Sequence, residues 1–273
     1  MTVMENKVPD ATSAVASSSR TAHGIAYASD GSARPIAWAL PEEVPVALQI
    51  NSQAFAVMMA TPADLRDFAV GVMISEGIVK TPAQIRGVLV MPMDNGITID
   101  IAIDEADIDA SRLTKRSIEG RTGCGLCGVE DLKGAVKTLP RFTSRFTPTP
   151  ETIRKAARAL PSLQPMNLIN HSVHAAAWVS PDGEILLVRE DAGRHNALDK
   201  LIGAVYAAAN STRDGFVLMT SRCSFELVQK CALSGIGALV TVSAPTALAL
   251  DLARASGLYL AALGRDEPVV FNP

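Results

Sequence analysis

Cys124 and Cys127 stand three residues apart in Arg121-Thr-Gly-Cys-Gly-Leu-Cys-Gly128, a setting that presents sulfur rather than packing it. Such a pair supports three chemistries. The first is sulfur transfer through a persulfide on a reactive thiolate. The second is dithiol exchange of the thioredoxin type. The third is metal binding, which needs further ligands. No second CxxC exists, so a four-cysteine zinc ribbon is excluded. His171 and His174 could complete a Cys₂His₂ set, although His174 heads an apolar run and reads better as a core or pocket histidine. Between Arg112 and Arg158 there are eleven Lys/Arg and four acids, a local charge of +7. A basic setting favours a thiolate and attracts phosphates or an acidic protein, and it is equally what a solvated basic face looks like. Cys231, within Lys-Cys-Ala-Leu, and Cys223 read as small buried fillers.

A second polar cluster runs from Glu190 to Lys200, Glu-Asp-Ala-Gly-Arg-His-Asn-Ala-Leu-Asp-Lys. It follows an expected strand and opens an expected helix. Backbone N–H groups at a helix start, with Arg194 beside them, suit a phosphate. The carboxylates of Glu190 and Asp191 could accept from ribose hydroxyls or a guanine edge. Asp191, Arg194, His195 and Asn196 are therefore the candidate ligand contacts here. The alternative is a capped, salt-bridged helix start. Hydroxyl-rich turns at 220–224 and 243–246 fall on the same expected edge, which strengthens the case for a pocket.

The elements that must position these groups follow from periodicity. Strands are expected at 44–50 and 54–59, and Thr61-Pro62-Ala63-Asp64 reads as a helix start with Thr61 as N-cap. Leu65, Phe68, Ala69, Val72 and Met73 share one helical face that ends near Gly77. A hairpin about Asp94-Asn95-Gly96 joins strands at 88–91 and 97–103. Helices are expected at 129–139 and 150–160. Beyond them strands and helices alternate: strands at 173–179, 184–188, 216–220, 238–242 and 258–263, with helices at 196–209, 225–233 and 246–256. That alternation implies an α/β layer with strands at least partly parallel, whose C-terminal edge is where ligands usually bind. The expected organisation is a disordered tail over 1–33, an N-terminal α+β domain over 34–123, a cysteine loop and connecting segment over 124–149, and a C-terminal α/β cofactor-binding domain over 150–273.

The chain has 273 residues, 48% hydrophobic, enough for one large domain or two smaller ones. A net charge of −3 argues against a globally basic nucleic-acid binder. With neither a signal peptide nor a spanning segment, the reading is a cytoplasmic protein with no membrane partner.

Taken in order, several segments resemble the formate dehydrogenase accessory sulfurtransferase family, the FdhD/NarQ-type proteins. They are Glu43-Val-Pro-Val, Met58-Met-Ala-Thr-Pro-Ala-Asp-Leu, Ser75-Glu-Gly-Ile, Cys124-Gly-Leu-Cys-Gly, the 190–200 cluster, Ser224-Phe-Glu-Leu-Val-Gln-Lys and Val242-Ser-Ala-Pro-Thr. The resemblance covers roughly 43–265. It implies a cytidine-deaminase-like α/β C-terminal domain and a homodimer. It also implies that sulfur from a cysteine desulfurase passes to molybdenum bis(molybdopterin guanine dinucleotide), the acceptor, for formate dehydrogenase. The family's persulfide position matches Cys124, with Cys127 as its partner. Its cofactor-contacting stretch aligns with Leu263, Gly264, Arg265, Asp266, Glu267 and Pro268, where this chain departs from the family pattern after Arg265. No resident metal is implied. Zinc deaminase chemistry is rejected, since Gly precedes Cys124 and neither His171 nor His174 has Glu two residues on. The competing readings are a non-catalytic chaperone for the molybdenum cofactor and a thiol redox or zinc-binding module.

Overall fold

A computed structural model describes residues 18–113, 137–208, 212–264 and 267–273. Twelve strands and six α-helices are described, in three sheets. Strands β1 (Ser19–Tyr27) and β2 (Ala33–Pro41) form an antiparallel ribbon. Strands β3 (Val44–Ile50), β4 (Gln53–Ala60), β5 (Ile85–Met93) and β6 (Gly96–Ile103) form a four-stranded sheet in the order β4-β3-β6-β5. Its inner face is written in alternation: Val46, Leu48 and Ile50 from β3, and Ile97, Ile99, Ile101 and Ile103 from β6, are all buried. Helix α1 (Leu65–Ser75) lies on that face and buries Leu65, Phe68, Ala69, Val72 and Met73.

The remaining strands are β7 (His174–Val179), β8 (Ile185–Asp191), β9 (Phe216–Met219), β10 (Ala238–Thr241), β11 (Tyr259–Leu263) and β12 (Pro268–Asn272). They form one sheet in the order β12-β11-β10-β9-β7-β8. Strands β9, β10 and β11 run parallel, while β7 and β12 are antiparallel to their neighbours. Each strand of the parallel core is buried on both faces, as unbroken apolar runs require. Helix α2 (Pro150–Ala159) covers one face through Ile153 and Ala156, beside Phe216, Leu218 and Val240. A single turn, α3 (Asn167–Asn170), precedes β7. Helices α4 (Arg194–Ala207), α5 (Phe225–Leu233) and α6 (Ala247–Ser256) are associated with the opposite face. The apolar core is continuous from the four-stranded sheet through α1 and α4 to that face.

The molecule is thus a mixed α/β protein, and most expected elements form. Four expectations need correction. Thr61 does not cap α1: the helix starts four residues later behind Asp64, which takes a left-handed conformation at φ 53°. Proline at 62 signalled a helix start, but Thr61 is bound elsewhere, as described below. Residues 19–27, expected in a disordered tail, pair with β2. Strand β12 was not anticipated, and it pairs with β11 through a turn closed by Gly264 N–H donating to the Glu267 carbonyl at 2.8 Å. The helix expected over 129–139 lies outside the described residues except at 137–139, which are not helical.

Helix α1 crosses α4 with backbone nearly touching backbone. A methyl group at Gly71 would overlap the Asp199 carbonyl, and one at Gly203 would overlap that of Asp67. Gly71→Ala therefore has to part the two helices, and overpacking of this kind costs about 2–3 kcal/mol, more than alanine's better helix propensity returns. Urea unfolding should show a lower midpoint at unchanged slope; an unchanged midpoint would mean that the crossing is not tight.

Candidate functional site

Strand β8 ends at Asp191, and α4 begins behind Gly193. The turn between them lies on the edge where β9, β10 and β11 also end. Asp191 is fully buried. One carboxylate oxygen, Oδ2, accepts from the Thr61 backbone N–H at 3.0 Å and pairs with Lys200 Nζ at 2.7 Å. The other, Oδ1, accepts from Gly193 N–H at 2.8 Å and from Asn196 Nδ2 at 3.0 Å. Asn196 also donates to the Met59 carbonyl at 2.7 Å, and Thr61 Oγ1 accepts from Ala192 N–H at 3.1 Å. Thr61 is spent on this turn, which is why it caps no helix. Asp191 and Asn196, read from the sequence as ligand contacts, clamp the end of β4 to the turn instead. Glu190 is committed as well: its oxygens accept from Met166 and Asn167 N–H at 2.8 and 2.9 Å, fixing the start of α3.

What remains to face a ligand is Arg194 and His195. Arg194 Nε and His195 Nδ1 are buried without a partner among the described residues. An orphaned buried polar atom is costly unless something fills its place, so these two are the candidate ligand contacts. The other ring nitrogen, Nε2, lies 3.4 Å from both Ser224 Oγ and Glu226 Oε2. Burial alone would raise the Glu226 carboxyl, but hydrogen bonds from His195 and Ser224 outweigh it and lower it to about 2. An ionised carboxylate can only accept, so Nε2 carries a proton toward Glu226 and Nδ1 is the ring nitrogen left without a partner among the described residues. His174, opposite Asp191 across the β7–β8 ladder, is pushed below the usual histidine range by burial and by the charges of Arg194 and His195. Arg194 thus supplies a cation and His195 a ring nitrogen able to hydrogen-bond, on one helix start.

Beneath the site lies a second buried node that sequence reasoning missed. Lys230 Nζ sits 2.8 and 2.9 Å from the two Asp199 oxygens, 3.0 Å from Glu76 Oε1 and 3.0 Å from Ser75 Oγ. Burial would lower the Lys230 ammonium, yet Asp199 and Glu76 hold it above the ordinary lysine range. Two lysines and an aspartate inside helices buried on nearly every side were the available signal, because buried charges must be paired.

The stretch read as a cofactor contact at 263–268 falls on the same edge, at the β11–β12 turn. Leu263, Gly264, Glu267 and Pro268 are placed there, whereas Arg265 and Asp266 lie outside the described residues. Four strand spacings separate β8 from β11, about 19 Å. A compact ligand cannot touch both ends of this edge; an extended one with separated charges can. Cys124 and Cys127 also lie outside the described residues. Of the residues flanking that segment, Lys137 donates its N–H to Gln229 Oε1 at 2.6 Å and pairs with Glu76, while Arg112 lies near Gly77. Both flanks therefore meet at the end of α1, against α5. Cys223 and Cys231 are fully buried, as expected of fillers. Burial pushes the Cys223 thiol up to about 12 and raises Cys231 further.

Fold and edge together define a mixed α/β protein with a candidate site at the C-terminal ends of its central strands. The model of the FdhD/NarQ family matches residues 41–272, and the chain belongs to that family. It is 47% identical to "Sulfur carrier protein FdhD" of Bordetella petrii over 80% of this chain and 79% of that one. It is 44% identical to the protein of the same name from Agrobacterium fabrum, over 84% and 85%. A crystal structure from Desulfotalea psychrophila, assigned as a formate dehydrogenase accessory protein, superposes with a TM-score of 0.72 at 25% identity, covering 93% of this chain and 97% of that one. No helix among the described residues is long and apolar enough to cross a membrane.

The His195–Glu226 contact sets a pH dependence. Because the folded Glu226 carboxyl is depressed from 4.5 to about 2, its contribution to stability is complete above 4.5 and is lost as pH falls toward 2. Thermal unfolding of Glu226→Gln should show a shallower acid decline than the wild type across that window. Parallel declines would remove the contact from the account.

Proposed function

We propose that this chain is a sulfur carrier, taking sulfane sulfur from a cysteine desulfurase and delivering it to the molybdenum bis(guanine dinucleotide) cofactor destined for formate dehydrogenase. One observation carries the reading. Of the four cysteines, Cys223 and Cys231 are sealed in the core as thiols, so sulfur chemistry falls to Cys124 and Cys127. The names of the relatives point the same way, as does membership of the family.

In this reading the Cys124 thiolate attacks the terminal sulfur of the desulfurase persulfide. The donor's S–S bond breaks, its thiolate leaves, and Cys124 holds the persulfide. Cys127 then attacks the inner sulfur of Cys124. Sulfide departs toward the acceptor, both cysteines are oxidised to a disulfide, and a cellular dithiol must reduce it before the next cycle. Arg121 and the surrounding basic residues favour the thiolate. At the C-terminal strand edge, Arg194 would neutralise a phosphate, and His195 Nδ1 would hydrogen-bond a base or ribose group. Arg265 would serve the far end of an extended, doubly phosphorylated acceptor. A cytidine-deaminase-like C-terminal layer, the division at 124 and 150, a homodimer and a cytoplasmic setting complete the proposal.

The test is to incubate the pure protein with a cysteine desulfurase and cysteine, then take its intact mass and map the modified peptide. One added sulfur on the peptide containing Cys124, removed by thiol and absent from Cys124→Ser, is expected. No added sulfur in the wild type, with cofactor binding intact, would favour a non-catalytic chaperone.

A further inference from the structure

At the opposite edge of the six-stranded sheet, where β9 and β10 begin, a cavity of about 520 Å³ is lined by Arg141, Phe142, Thr143, Ser144, Arg145 and Arg213, with Asp214 at the same site. It lies a full strand length from Arg194 and His195, so the sulfur-carrier reading makes no use of it. Three guanidinium groups against one carboxylate give it a strong positive bias. Arg141 has no ion pair among the described residues, and the Thr143 and Ser144 hydroxyls have no partner there either. Arg145 donates through Nη2 to the Pro273 carbonyl at 2.5 Å, but its Nε is buried with no partner among the described residues.

The wall is built rather than left over. The 141–146 segment is pinned by the Phe142 N–H, which donates to the Ser256 carbonyl at 2.8 Å. Its close approach depends on Gly237, where an added Cβ would come within 2.8 Å of Arg145 Cβ and 3.3 Å of Phe142 Cδ1. Phe146 is held from behind by stacking on Phe216, with ring centroids 6.4 Å apart. Phe142, only partly buried, is the aromatic surface left to the cavity.

We propose that this cavity is a second ligand site, binding the phosphate of a nucleoside phosphate. Guanidinium groups with two free hydroxyls match phosphate oxygens. The volume exceeds that of a single phosphate and falls in the range of about 300–1,000 Å³ typical of small-molecule sites. Phe142 offers a face for a base, and Asp214 an acceptor for a sugar hydroxyl.

Isothermal titration calorimetry of the full chain with AMP, pyrophosphate and inorganic phosphate tests this. Saturable binding is expected, weakened about tenfold by Arg141→Ala and by Arg213→Ala. Both side chains are exposed, so circular dichroism should be unchanged in each variant. Arg86→Ala, exposed on β5 and outside both sites, should bind like the wild type. AMP binding tenfold tighter than inorganic phosphate assigns the site to a nucleotide. Equal affinities keep the phosphate site but overturn the nucleotide. No saturable heat, wild-type affinity in both Arg141→Ala and Arg213→Ala, or loss of binding in Arg86→Ala overturns the proposal.

Discussion

The ammonium of Lys230, enclosed by Asp199, Glu76 and Ser75, is the constraint on which the arrangement depends. It ties α5, α4 and the end of α1 at one buried point. A charge taken out of water costs several kcal/mol unless its partners hold good geometry. The pair therefore does little for net stability compared with an apolar filling, but it punishes every alternative register severely. The glycine-mediated crossing of α1 on α4 makes the same demand in steric form. Together they fix the four-stranded sheet onto the six-stranded one.

From that docking the site follows. Once α1 is seated on α4, the end of β4 reaches the β8–α4 turn, and Thr61 and Met59 supply the groups that Asp191, Asn196 and Lys200 require. Both oxygens of the Asp191 carboxylate are satisfied within that clamp. Beside it, Arg194 Nε and His195 Nδ1 have no partner among the described residues, and Glu226 engages the other nitrogen of His195. Rigid support beneath and unfilled hydrogen-bonding capacity above are what a preorganised anion site needs. The flanks of the cysteine segment join the same framework through Lys137, Glu76 and Gln229.

Much of this was legible in the sequence, because local periodicity dictates local structure. Helix 225–233 forms with those bounds, and the strand read at 97–103 forms as β6. The placement of 190–196 at a strand-to-helix turn also matches the structure. What escaped depends on distant partners. Asp191 looks like an exposed ligand contact until Thr61, 130 residues earlier, arrives to use it. Pro62 spelled a helix start that the tertiary clamp overrode. The ribbon β1–β2 was hidden by the Ala/Ser/Thr bias before residue 33, and β12 by its shortness and its dependence on β11. Lys200 and Lys230 look like solvent-facing helix residues until the neighbouring helix positions are seen to be buried on nearly every side.

The most direct measurement follows labelled sulfur out of the carrier. The chain is loaded with radiolabelled cysteine and a desulfurase, freed of donor, and mixed with the molybdenum cofactor; label is then counted in protein and cofactor for the wild type and Arg194→Ala. If loading is chemistry of the cysteine segment and discharge is chemistry of the strand edge, both proteins load equally, and the wild type discharges while Arg194→Ala retains its label. Equal discharge from the two proteins, or label that never reaches the cofactor from either, would contradict the account.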